Sequence, residues 1–133
     1  MRHVLVTFCV LVLAGVGAAV AGESHDAASE PRIVEMWSCT LKDGKTPDEV
    51  RATNSRWLKA VNEKLEGSPV ASYVLENIVG APNSFGYLDV YPSLEVWAAA
   101  KRAGQSDVFE AIDAEFDELS DCSSNSLHRS HQS

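Results

Sequence analysis

From Ile33 to Leu41 the chain is rich in β-branched and large apolar residues, and Lys42-Asp43-Gly44-Lys45 follows as a turn. This pattern predicts a first strand. Its two-residue period puts Ile33, Glu35, Trp37, Cys39 and Leu41 on one face, and Val34, Met36, Ser38 and Thr40 on the other. Thr46-Pro47-Asp48-Glu49 predicts a helix start, with a capping threonine, proline in the first turn and glutamate three residues after the cap. The helix is expected to run to about Glu66, where Gly67-Ser68-Pro69 stops it. Its apolar stripe is Val50, Trp57, Leu58, Val61 and Leu65, and Asn54 falls inside that stripe.

Val70–Val79 and Phe85–Tyr91 predict two further strands, joined through Gly80–Ser84 as a hairpin. Ser93 predicts the cap of a second helix, with Leu94, Trp97 and Ala98 opening its inner face. Gly104-Gln105-Ser106 breaks that helix, and Asp107–Ser120 resumes it with Val108, Ile112, Phe116 and Leu119 at helical spacing. Cys122–Arg129 is short and polar, and its position makes it the fourth strand.

The order β-α-β-β-α-β is the ferredoxin-like split unit, an α+β fold with a four-stranded antiparallel sheet in spatial order 4-1-3-2 and its helices on one face. In that topology the end of the first strand meets the start of the last, which brings Cys39 beside Cys122. The first three strands carry large apolar residues on both faces, so the sheet asks for a second cover. A second copy packing sheet to sheet as a twofold homodimer supplies it.

The chain has 133 residues with 11 Lys+Arg against 19 Asp+Glu, a formal charge of −8. The acidic balance argues against nucleic acid and anionic membranes as partners. Residues 1–21 combine a basic start at Arg2 and His3, an apolar run from Val4 to Leu13 and a small-residue end at Ala19-Val20-Ala21. That is the pattern of a cleaved signal peptide, which places the mature protein in the periplasm or outside the cell and off the membrane after cleavage. Residues 22–31 read as a flexible leader, 32–129 as the domain and 130–133 as a frayed tail. Cleavage removes Cys9, and the remaining pair in an oxidising compartment favours a Cys39–Cys122 disulfide.

The stretches WSCTLKDGKTPDEVRATNSRWLKAVN (37–62) and SFGYLDVYPSLEVWAAAK (84–101) resemble the dimeric α+β barrel superfamily, which includes antibiotic-biosynthesis-monooxygenase-like domains. The first also resembles small exported bacterial members of unsettled function. The resemblance implies a dimer with a pocket between sheet and helices. It covers chemistries from cofactor-free oxygenation to haem degradation. Haem-degrading members use an Asn-Trp-His set; Asn54 and Trp97 are present here, but the mature histidines are His25, His128 and His131, at the chain ends.

Asn54 is the most informative single position, because a buried amide must be hydrogen-bonded. It serves either a ligand or a neighbouring strand. Trp57, Trp97, Tyr73, Tyr87 and Tyr91 are candidates to wall a pocket or to pack in the core and interface. Asp89 and Glu35 are acids inside strands, where burial would raise a carboxyl pKa toward acid–base use, and where pairing with Arg51 or Arg56 is the common alternative. His128 and His131 lack partners for a metal site, and no phosphate-cradling glycine loop or Ser-His-Asp elbow is present, so neither metal nor cofactor is expected. Two functions follow: a non-catalytic protein that binds a small apolar ligand or acts as a scaffold, and a cofactor-independent monooxygenase-type enzyme acting on a small apolar or aromatic substrate. A filled core would favour the first. A cavity of several hundred cubic ångströms with Asn54 and an acid converging on it would favour the second.

Overall fold

The computed structural model describes residues 30–67 and 69–131. The expected signal peptide (1–21), the leader up to residue 29 and the last two residues of the tail lie outside these. The elements are β1 (Ile33–Leu41), α1 (Pro47–Lys64), β2 (Ala71–Glu76), β3 (Ser84–Tyr91), α2 (Leu94–Ala103), α3 (Asp107–Leu119) and β4 (Ser120–Arg129). The sheet order is β2-β3-β1-β4, all neighbours antiparallel, which is the expected ferredoxin-like arrangement.

The local signals act as the residue types demand. Thr46 and Glu49 close the capping box: the Thr46 amide donates to Glu49 Oε2 at 2.8 Å, and the Glu49 amide donates to Thr46 Oγ1 at 3.4 Å. Ser93 Oγ accepts from the Val96 amide and starts α2. Gly104-Gln105-Ser106 separates α2 from α3. Gly44 adopts φ 77° in the turn after β1, a conformation that favours glycine.

The structure corrects the pattern in three places. The second strand ends at Glu76 rather than Val79, and Ile78 and Val79 project almost fully into solvent from the loop before β3. The loop carries Gly80 at φ 124°, which turns the backbone off the strand path. In α3 the buried residue of the first turn is Phe109, while Val108 is 55% exposed, because a one-residue step rotates a side chain about 100° around a helix. Leu94 is likewise exposed at the start of α2.

The helix-covered face of the sheet packs as two clusters. One gathers Ile33, Val61, Val70, Tyr91, Ala100 and Phe109, with Trp57, Leu58 and Trp97 against it. The other gathers Cys39, Val50, Phe85, Tyr87 and Leu119, with Trp37 and Phe116 against it. Register slips by one residue between Ser38 and Cys39, so Ser38 opposes Ser124 while Cys39 opposes Cys122. The bulge turns Cys122 toward Cys39, and the disulfide forms between them. On the opposite sheet face Met36, Tyr73 and Leu75 are exposed. Among the described residues no helix is long and apolar enough to cross a membrane.

Candidate functional site

The alternation that buries Ile33 and Cys39 also buries the acids between the apolar positions. Glu35 on β1 stands opposite Asp89 on β3, and both lie under the helices, at 2% and 6% exposure. A buried carboxylate is tolerated only where donors replace its water. Glu35 has four. Asn125 Nδ2 donates to Oε1 at 2.8 Å, and Oε2 accepts from Tyr91 Oη and Trp97 Nε1, each at 3.3 Å. Lys101 Nζ completes the set at 2.6 Å from Oε2 and sits 5.6 Å from the centre of the Trp37 ring. The arginines that sequence offered as partners are engaged elsewhere: Arg51 pairs with Asp48 and Glu76, and Arg56 with Glu115.

Asp89 has a different environment. Ser72 faces it across the β2–β3 pairing, and Ser72 Oγ donates to Asp89 Oδ1 at 2.5 Å. Asn54 Nδ2 donates in turn to Ser72 Oγ at 2.9 Å. Burial pushes the Asp89 carboxyl up to about 6; the Ser72 bond pulls against that rise, the Glu35 carboxylate adds to it and Lys101 opposes it. Ser72 Oγ also lies 3.2 Å from Asn54 Oδ1. A hydroxyl has one proton to give. It points at Asp89 when that carboxylate is charged, and is free to turn to Asn54 when Asp89 holds its own proton.

A cavity of about 420 Å³ opens between the two halves of the core. Trp57, Tyr91 and Phe109 from one half and Trp37, Tyr87 and Phe116 from the other form its aromatic wall. Asn54, Asp89 and Lys101 supply polar groups, and Asp113 and Asp117 of α3 complete the acidic part of the lining. Burial drives the phenols of Tyr87 and Tyr91 far above their ordinary range, with the Asp89 charge adding to both, so both remain protonated. Ser120 offsets part of the rise at Tyr87. Yet the Tyr87 hydroxyl is buried with no hydrogen-bond partner of acceptable geometry.

Of the residues singled out from sequence, Asn54, Trp57, Tyr87, Asp89 and Tyr91 come together at the cavity. Tyr73 does not: it pairs with Leu88 on the opposite sheet face and is 54% exposed. Trp97 is not among the lining residues, and its indole N–H is spent on Glu35. Ser72, Trp37, Lys101 and Asp113 escaped the sequence reading. Only the strand register, which sets Ser72 opposite Asp89, marks that serine out. Among the described residues no group of three or more His, Cys, Asp and Glu is placed to hold a metal ion.

No family model matches the chain, and no curated protein matches it. Solved structures do. The cofactor-independent oxygenase SnoaB from Streptomyces nogalater superposes with a TM-score of 0.58 at 16% identity, covering 77% of this chain and 96% of that one. A NIPSNAP family protein of unknown function from Agrobacterium tumefaciens gives a TM-score of 0.57 at 14% identity, covering 78% and 91%. A candidate antibiotic biosynthesis monooxygenase from Caulobacter crescentus gives 0.54 at 14%, covering 80% and 93%. The chain shares the α+β ferredoxin-like fold of these structures.

Proposed function

We propose that the protein is a small exported enzyme that binds an apolar or aromatic small molecule in the cavity and uses Asp89 as its general base. The observation that carries this reading is the position of Asp89: a buried carboxyl in the wall of an aromatic cavity, oriented by Ser72 and raised to about 6. A base is most effective when its pKa lies near the working pH, because it is then both deprotonated and able to take a proton. Asp89 takes a proton from a weakly acidic O–H or C–H of the ligand. Cofactor-independent oxygenation fits this arrangement, since a delocalised carbanion is the electron-rich species with which dioxygen itself can react. SnoaB lends the reading support by shared fold, which is analogy and not identity of site. A filled core would have supported a scaffold; the cavity supports ligand binding, and Asp89 in its wall supports catalysis.

Export rests on the signal pattern of residues 1–21 and fits the disulfide. The twofold dimer rests on the exposed Met36, Tyr73 and Leu75 of the open sheet face. Native mass spectrometry of the mature protein from its own host identifies the retained ligand. Incubation of that ligand in heavy water with wild type and Asp89→Asn then tests the chemistry. Exchange of one ligand hydrogen, lost in the variant while binding persists, supports the base. Equal exchange in both proteins leaves a binding protein in its place.

A further inference from the structure

The cavity wall is unbalanced in charge. Among the described residues its one cation, Lys101, is held 2.6 Å from the buried Glu35 carboxylate, so that pair is neutral as a unit. Asp89, Asp113 and Asp117 remain in the lining, and among the described residues none of the three has a salt-bridge partner. Asp113 and Asp117 are four residues apart on α3, where like charges lie on neighbouring turns and repel. Asp89 is 6% exposed, and a carboxylate buried without a counter-charge costs free energy unless something of opposite sign comes beside it; Asp113 and Asp117 add negative charge at the exposed rim. The rest of the wall is suited to the same visitor. Six aromatic rings surround the space, and aromatic faces carry a negative quadrupole that attracts cations.

We infer that the ligand of this cavity is an organic cation: an amine protonated at neutral pH, carried on an aromatic or apolar body that fits about 420 Å³. The inference rests on the proposed cavity site and names the class of molecule that site takes. The aromatic wall holds the body, and the three aspartates supply the counter-charge, Asp89 from within and Asp113 and Asp117 from the rim. An anionic ligand is disfavoured, because Lys101 is already committed to Glu35.

Three probes with one skeleton test it on the mature, disulfide-intact protein: 2-phenylethylammonium, 2-phenylethanol and phenylacetate, positive, neutral and negative. Trp37 and Trp57 in the wall make intrinsic fluorescence the readout. The cation is expected to bind roughly tenfold or more tighter than the alcohol, and phenylacetate weaker than both. Salt of about 0.5 M should narrow that gap by screening. In Asp113→Asn/Asp117→Asn, whose two positions are exposed and whose repulsion is removed, the cation's advantage should shrink several-fold while the alcohol's affinity holds. Equal or tighter binding of the alcohol or of phenylacetate overturns the cation inference and leaves the apolar-ligand cavity standing. An unchanged cation preference in the double variant overturns the part assigned to α3. Binding by none of the three overturns both the inference and the cavity reading on which it rests.

Discussion

Asp89 is the residue at which stability and chemistry oppose each other. Its carboxyl is raised from an ordinary 3.8 to about 6, chiefly by burial, so the folded chain binds more protons than the unfolded chain between those values. Stability therefore falls as pH rises from about 4 to about 6 and stays lower above that window. The size is ~2–3 kcal/mol for a rise of about two units. Asp89→Asn removes the charge and keeps an acceptor for Ser72. It is expected to stabilise the protein by that amount at pH 8 and by nearly nothing at pH 3, as urea denaturation at the two pH values will show. Asn54→Ala should cost ~1–2 kcal/mol, because it strips the donor from a part-buried Ser72 hydroxyl. Comparable urea midpoints for wild type and Asn54→Ala would contradict that bond. Asn54 was legible in the sequence because it interrupts an apolar helical stripe. Ser72 was not, because a strand serine looks like surface until the register sets it against an acid. Glu35 was visible as an acid inside a strand, but its four partners come from β3, α2 and β4, and no local pattern announces them.

At the scale of elements, caps and breakers were legible because they act within one turn of chain: Thr46 with Glu49, Ser93, and the Gly104-Gln105-Ser106 break. Which residue of the Val108-Phe109 pair turns inward was not, since helical periodicity is too coarse to choose between adjacent apolar residues and the sheet decides. β4 is the element least able to hold itself. After Ser120 every residue of the strand is exposed, and its sequence is mostly Ser, Asn and Asp. It is held by pairing to β1 and by the Cys39–Cys122 bond, which spans 83 residues of chain. The chain-entropy model gives such a cross-link ~4–5 kcal/mol. Reduction is expected to lower stability by that order and to speed amide exchange first in β4, with β3 and α1 still protected. Uniform loss of protection across the sheet would contradict this. Gly86 makes a second element-level test. A Cβ there would meet the Trp37 carbonyl oxygen at 2.8 Å. Gly86→Ala should therefore push β1 from β3, destabilise the fold by ~1–3 kcal/mol and disturb the cavity wall that Trp37 forms, read by melting and by tryptophan fluorescence.

For the whole molecule, strand order and the pairing of the cysteines were both legible, because the split topology determines which strand ends meet. The cavity was not: periodicity shows which face is inward, but not whether the facing side chains fill the space between them. The open sheet face belongs to this scale as well. We expect light scattering of the mature protein to give twice the chain mass, and Tyr73→Glu to return it to a monomer with its melting transition intact, since Tyr73 stands on that face away from the cavity. A monomer mass for wild type at micromolar concentration would contradict the dimer. The proposed chemistry depends on one property, a carboxyl in the cavity wall able to exchange its proton near neutrality. The most direct measurement is a carbon-13 NMR titration of the aspartate side-chain carboxyls, with Asp89 assigned by its disappearance in Asp89→Asn. The expected midpoint for Asp89 is about 6. A midpoint at the ordinary 3.8 would place Asp89 in solvent-like surroundings and contradict its role as base.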